Sequence, residues 1–98
     1  MKDFAISALL VMDAVCRKGD VSGSMIMEQT DLKSGTVYPL LKRLEADGFV
    51  RSRNEDGTPE GRGRPLRIFY TATRKGVRAV ASQASRLKPT IDRLTRLK

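Results

Sequence analysis

The residues from Lys33 to Gly48, K-S-G-T-V-Y-P-L-L-K-R-L-E-A-D-G, carry the tightest structural signature in the chain. Val37, Leu40, Leu41 and Leu44 recur at i, i+3, i+4 and i+7, one apolar stripe of helical period. Ser34 is placed to cap the helix, its hydroxyl accepting from the otherwise free amide of Thr36 or Val37. Gly48 supplies the left-handed residue that ends it. Away from the stripe stand Ser34, Gly35, Thr36, Tyr38, Lys42 and Arg43, with Lys33 just ahead and no acid before Glu45. Such a helix N-terminus suits a phosphate, because the unpaired amides and the helix dipole point the same way. Pro39 lies inside this helix, where proline ordinarily costs about 3 kcal/mol. So early in the helix it removes only the bond to Gly35, and it holds Tyr38 rigidly outward, within reach of a phosphate.

Charge points the same way. The 98 residues hold 19 Lys and Arg against 11 Asp and Glu, a formal charge of +8 that favours a polyanion partner. This length makes one domain of modest core, for which oligomerisation is a natural aid to stability. The single Cys16 forms no internal disulfide and fits a reducing cytoplasm. With no His and one Cys, the usual zinc sets and His-based catalytic pairs cannot be assembled. Neither an enzyme nor a metal or cofactor is expected.

Phe4 to Cys16 is apolar almost all round, interrupted by Ser7 and Asp13. It is shorter than the ~20 residues that span a bilayer, and its flanks do not suit a signal peptide, so no membrane partner is expected. A helix greasy on every side is buried on every side, which calls for a second copy of the chain. Arg17, Lys18 and Gly19 form its C-terminus. Val21 to Thr30 reads as a short second helix capped by Ser22, with Met25 and Ile26 inward. Asp31, Leu32 and Lys33 turn into the next helix, which completes a helix-turn-helix with its second helix, 34–47, shaped for the major groove.

After Gly48 the period becomes extended. Phe49 to Arg53 and Leu66 to Thr71 read as two strands, the second with Leu66, Ile68 and Tyr70 on one face and Arg67 and Phe69 on the other. Between them lies N-E-D-G-T-P-E-G-R-G-R-P (54–65), a flexible polar loop without an apolar residue. Two strands and such a loop directly after a recognition helix form a wing. Its second half, with Arg62, Gly63 and Arg64, resembles an AT-hook and suits a narrow A·T minor groove, which concentrates negative potential. Glu55, Asp56 and Glu60 are expected to sit away from DNA.

Thr73 caps the last helix, running from Arg74 towards Lys98. Val77, Val80, Ala84, Leu87, Ile91 and Leu94 form a heptad seam narrow enough to pack against one partner helix. Pro89 falls at the outermost heptad position, where it kinks or restarts the helix without blocking the seam. Eight basic residues against Asp92 on this helix leave open solvated flanks or further DNA contact.

G-T-V-Y-P-L-L-K-R-L-E-A-D-G-F-V (35–50), G-R-P-L-R-I-F-Y-T-A-T-R-K-G (63–76) and the greasy first helix together resemble the PadR family of bacterial winged-helix transcriptional regulators. The resemblance implies a mainly α fold of the α+β winged-helix type: a three-helix helix-turn-helix core with a two-stranded wing over 1–73, then a long dimerisation helix over 74–98. It also implies a cytoplasmic, nucleoid-associated homodimer that binds a palindromic operator and represses transcription. The segment before the recognition helix departs from the family, reading Ser22-Gly23-Ser24-Met25-Ile26 in place of Gly-Tyr-Glu. The single C-terminal helix matches the short members, and without Trp no small-molecule effector is inferred.

In the expected arrangement, double-stranded DNA meets Lys33, Ser34, Thr36, Tyr38, Lys42 and Arg43 in the major groove and on its phosphates. Ser34 and Thr36 address base edges or adjoining phosphates, while Arg62, Gly63, Arg64 and Arg67 of the wing take the minor groove. Phe4, Ala8 and Val11 join the seam residues at the dimer interface. Three other readings stand beside it: a winged helix that docks on an acidic protein, a ligand sensor with a filled dimer centre, and an architectural DNA-coating protein.

Overall fold

The computed structural model describes residues 3–97; Lys98 and the side chain of Lys18 lie outside the described set. The elements follow as α1 (Ile6–Lys18), β1 (Val21–Ser22), α2 (Gly23–Thr30), α3 (Ser34–Ala46), β2 (Val50–Asn54), α4 (Pro59–Arg62), β3 (Ile68–Ala72) and α5 (Arg74–Thr95). This is the expected winged helix, mostly helical with a small antiparallel sheet. Among the described residues no helix is long and apolar enough to cross a membrane.

The core forms where three amphipathic faces meet. Val37, Leu41 and Leu44 of α3 are buried against Val11, Met12 and Val15 of α1, with Ile26 of α2 and Val21, Val50 and Tyr70 of the strands closing the sides. Full burial of each such side chain is worth about 1.5–3 kcal/mol. Leu40 is only partly buried at the edge. α1 is not enclosed all round: Ile6 and Leu10 remain exposed. Ala8 and Val11, expected at a dimer interface, are instead buried in the chain's own core, so neither offers surface to a second copy.

Local chemistry sets the ends of α2 and α3. Ser22 caps α2 by accepting from the Met25 amide at 3.3 Å. The inward side of α2 is Gly23 and Ile26, whereas Met25, expected inward, is exposed. Asp31, left-handed at φ 61°, ends α2, and Thr30 Oγ1 accepts from the Leu32 amide at 3.2 Å. That tight turn starts α3 one residue earlier than expected. Lys33 is the N-cap, its carbonyl accepting from the amides of Thr36 and Val37 at 2.9 and 3.0 Å. Ser34 is therefore the first helical residue and makes no capping bond. At the far end Gly48 has φ 81° and the Phe49 amide reaches back to the Leu44 carbonyl at 2.9 Å, a Schellman closure.

The sheet has three strands in the order β1-β3-β2, one more than expected. β1 is only two residues long, pairing Val21 with Tyr70 and Ser22 with Phe69. Across β2 and β3, Arg53 faces Phe69 and its guanidinium lies 5.0 Å from the ring centroid. Asp20 accepts from Arg53 at 2.7 Å and from the Thr71 hydroxyl, tying the end of α1 to both long strands.

α5 is capped by Thr73, whose hydroxyl accepts from the Gly76 amide at 3.1 Å. The helix runs through Pro89 without a break. Its inward residues are Gly76, Ala79 and Gln83, and the Gln83 amide bonds the Phe4 amide (2.7 Å) and the Phe4 carbonyl (2.9 Å). Gly76 lies where a Cβ would strike the Phe49 carbonyl oxygen. Gly76→Ala should accordingly lower stability by about 1–3 kcal/mol, the usual penalty of overpacking, as read from urea denaturation.

Candidate nucleic-acid interface

The outer side of α3 is built by subtraction. With Val37, Leu41 and Leu44 committed to the core, the helical period leaves Gly35, Pro39, Lys42 and Ala46 along the outermost line, all exposed. Three of these are small or smooth, so the helix backbone can approach a partner closely. Ser34 and Thr36 flank that line and are exposed. Among the described residues the amides of Ser34 and Gly35 have no acceptor, as expected for the first turn of a helix. Lys33, Lys42 and Arg43 make no ion pair among the described residues.

The two flanks of α3 differ. Tyr38 lies towards the wing, half-exposed, its ring seated on Gly23, where an added Cβ would stand 2.5 Å from Cε1 and 2.6 Å from the hydroxyl oxygen. Arg43 lies on the other flank, over a groove of about 690 Å³ between α1, α3 and the start of α5. Tyr38 and Arg67 meet across a hollow of about 310 Å³ that also takes in Ser22, Gly23 and Ser24. The structure thus joins the recognition helix to the base of the wing through a residue that sequence reasoning passed over. Gly23 carried a signal, as the only glycine in the second helix, but nothing local says which ring it receives.

The wing is ordered rather than a flexible loop. Thr58 accepts from the Gly61 amide at 3.0 Å and Pro59 opens the short helix α4, which Gly63 ends at φ 69°. Glu45 of α3 accepts from the Ser52 amide (3.2 Å) and hydroxyl (2.5 Å), so β2 is fixed to the recognition helix. Groups within the wing itself hold its arginines, Glu55 by its carboxylate and Asp56 by its backbone carbonyl. Arg64 grips Glu55 with both ends of its fork, at 2.8 and 2.9 Å, and Arg62 donates to the Asp56 carbonyl at 2.9 and 2.7 Å. Arg67 contributes its backbone amide to Glu55 at 3.2 Å, while its side chain lines the hollow beside Tyr38.

Comparison with known proteins fits this geometry. The profile of the "Transcriptional regulator PadR-like family" matches residues 23–82, from the second helix into the last. The chain belongs to that family. It is a winged-helix transcriptional regulator, of a family of DNA-binding proteins rather than enzymes. A PadR family regulator from Clostridium difficile R20291 shares its fold at TM-score 0.78 and 21% identity, over 95% of this chain and 98% of that one. The protein smu.1704 from Streptococcus mutans UA159 matches at TM-score 0.72 and 26% identity, over 93% of this chain and 87% of its own. Bacillus subtilis PadR, solved in complex with operator DNA, matches at TM-score 0.68 and 24% identity, over 81% of this chain and 47% of that chain. No match is found among the curated proteins.

The Arg64 guanidinium holds the Glu55 carboxyl well below its ordinary value, at about 2 rather than 4.5. Desolvation opposes this, and the Arg67 amide and the charge of Arg62 add to it. Because the folded value is the lower one, Glu55 contributes stability that is complete above about pH 4.5 and lost as pH falls towards 2. Protection of the Gly63 and Arg67 amides, taken relative to intrinsic exchange at each pH, should therefore fall through that window, and Glu55→Gln should already show the lower protection at neutral pH.

Proposed function

We propose that the protein is a homodimeric repressor that reads a palindromic operator with the helix 34–47 in the major groove and the wing 54–65 in the flanking minor groove. The observation that carries this reading is the outward side of α3: exposed, unpaired in its first-turn amides, free of acids until Glu45, and furnished with Lys33 and Lys42. Ser34 and Thr36 address base edges or the adjoining phosphates. Lys33, Tyr38, Lys42 and Arg43 hold the backbone, which positions the dimer without reading sequence. Arg67 and Gly63 bring the wing against the sugar-phosphate edge, and Arg62 and Arg64 enter the minor groove after leaving their partners within the wing. Repression follows from occupancy of the promoter. Support also comes from the fold shared with a PadR solved on its operator.

The dimer reading rests on α5. Val77 is exposed beside the buried line of Gly76, Ala79 and Gln83, and Ile91 and Leu94 are exposed beyond the end of that line. Together with Val80, Ala84 and Leu87 they continue the heptad seam, and an apolar hollow lined by Leu9, Ala84, Leu87 and Ile91 extends it onto α1. Phe4 lies beside the start of this surface, partly buried and edge-on to Phe49 at 5.0 Å. Two copies clamped so present their recognition helices to successive major grooves, about 34 Å apart.

Selection of bound duplexes from a random library, followed by titration of the chosen sequence, tests the whole reading. Lys42→Ala should weaken every duplex alike and flatten the salt dependence by about one unit, whereas Thr36→Ala should change which bases are selected. Wild-type retention that ignores duplex sequence would reject the operator reading. Light scattering should give a dimer for the native chain, and Leu94→Asp, which buries a charge in the seam, should give a monomer that binds a half-site at least tenfold more weakly than the dimer binds the whole site.

A further inference from the structure

We infer that Glu55 restrains the wing, holding its two arginines in an internal pairing that only a strongly negative groove displaces. The inference rests on the minor-groove reading of the wing. Glu55 stands just after β2, its amide donating to the Arg67 carbonyl at 2.8 Å, so its backbone is fixed at the base of the wing. Its side chain is 10% exposed. Oε1 accepts from Arg64 Nη1 at 2.8 Å and the Arg67 amide at 3.2 Å; Oε2 accepts from Arg64 Nη2 at 2.9 Å and lies 3.6 Å from Arg62 Nη1. Arg62 is turned inward as well, onto the Asp56 carbonyl, beneath a turn made by Gly57 at φ 102°. Neither guanidinium points freely at solvent, although the sequence places both at the tip of a polar loop.

A guanidinium held by a carboxylate through two parallel bonds is already satisfied. A scattered phosphate at the mouth of a wide groove offers no better partner, and the pair stays closed. A narrow A·T groove focuses the potential of two phosphate strands on one line, where a single arginine meets several acceptors. The exchange is favourable only there. Glu55 thus lowers the wing's contribution on A·T-rich flanks by the cost of opening the pair and keeps the wing out of grooves that cannot meet that cost. A carboxylate in a DNA-facing element is ordinarily a liability; at this position it suppresses the wing's affinity for unsuitable DNA.

The test uses the full chain, Glu55→Gln, Arg64→Ala and the double variant, titrated by fluorescence anisotropy on duplexes that share a selected central site and differ only in A·T or G·C flanks. Gln keeps the shape of the side chain and removes its charge. Wild type is expected to favour A·T flanks. Glu55→Gln is expected to bind the A·T-flanked duplex about tenfold tighter, as a lost charge-assisted pair implies, and the G·C-flanked duplex tighter by a smaller factor, with a steeper salt dependence. In the Arg64→Ala background the same substitution is expected to lose most of its effect, keeping only the part that acts through Arg62. Glu55→Gln with wild-type or weaker affinity for the A·T-flanked duplex would overturn the inference, as would a gain that persists undiminished without Arg64. A wild-type protein indifferent to its flanks ends the minor-groove reading and this inference together; an A·T preference in the wild type with no gain of affinity in Glu55→Gln ends this inference alone.

Discussion

The backbone carbonyl of Phe49 is where the three parts of the fold are tied. The Thr73 amide donates to it at 3.0 Å, and Gly76 lets α5 lie directly over it because no side chain intervenes. One residue earlier, the Gly48 carbonyl accepts from the Thr73 hydroxyl at 2.6 Å. The Phe49 ring fills the remaining angle, with the edge of Phe4 on one side and the Lys75 ammonium 5.0 Å from its centroid. The end of the recognition helix, the start of the wing and the start of α5 are thereby locked within a few residues of one another. For a dimeric reader this is a functional constraint. In the proposed dimer joined through α5, the angle between α3 and α5 would set how far apart two recognition helices stand, and a shift at Phe49 would alter the half-site spacing.

Net charge alone conceals how the cations are divided. Arg17, Arg53, Arg86 and Lys88 are engaged with Asp13, Asp20, Asp3 and Asp92, all on exposed surface where such pairs add little stability. Their effect is to take positive charge out of play on the faces of α1, the sheet and α5. The exposed flanks of α3 keep Lys33, Lys42 and Arg43 without such partners among the described residues. Arg51 of β2 and Arg74, Arg78, Arg93 and Arg96 of α5 likewise make no ion pair among the described residues, so the available charge is shared between α3, the wing strand and α5. The wing occupies a middle position, cationic in sequence and self-neutralised in structure until something competes with Glu55.

What could be read from residues alone followed from how local the cause was. The α3 stripe, the Ser22 and Thr73 caps and the helix that carries the α5 seam depend on neighbours within a turn or two, and each stands where local sequence puts it. Ser34 failed as a cap because Asp31 and Thr30 tighten the preceding turn, a matter of backbone conformation rather than residue type. β1 was invisible because two residues cannot display a period. Ala8 and Val11 were assigned outward because a uniformly apolar helix does not say which side its own chain will cover. Thr58 and Pro59 did carry the signature of a helix start, masked by the glycines around them. The pairing of Glu55 with Arg64 joins residues across a loop, and no spacing rule anticipates it.

The same divide between local and distant causes explains α5. Its first half is held from within the chain: Gly76 at Phe49, Ala79 in the core, Gln83 spending both ends of its amide on the backbone of Phe4, and Arg86 on Asp3 at 2.8 Å. From residue 88 to 97 every residue is exposed, Ile91, Leu94 and Leu97 included. An isolated helix of that length is marginal in water, and an apolar stripe along it adds a cost rather than a support. Such a segment is stable when its stripe is covered by another surface, and the narrow seam matches one helix rather than a sheet or a broad core. Gln83 marks the changeover. Up to it α5 belongs to the domain that carries α3, and beyond it the helix offers the surface through which, in the two-fold reading, a second such domain is brought into register.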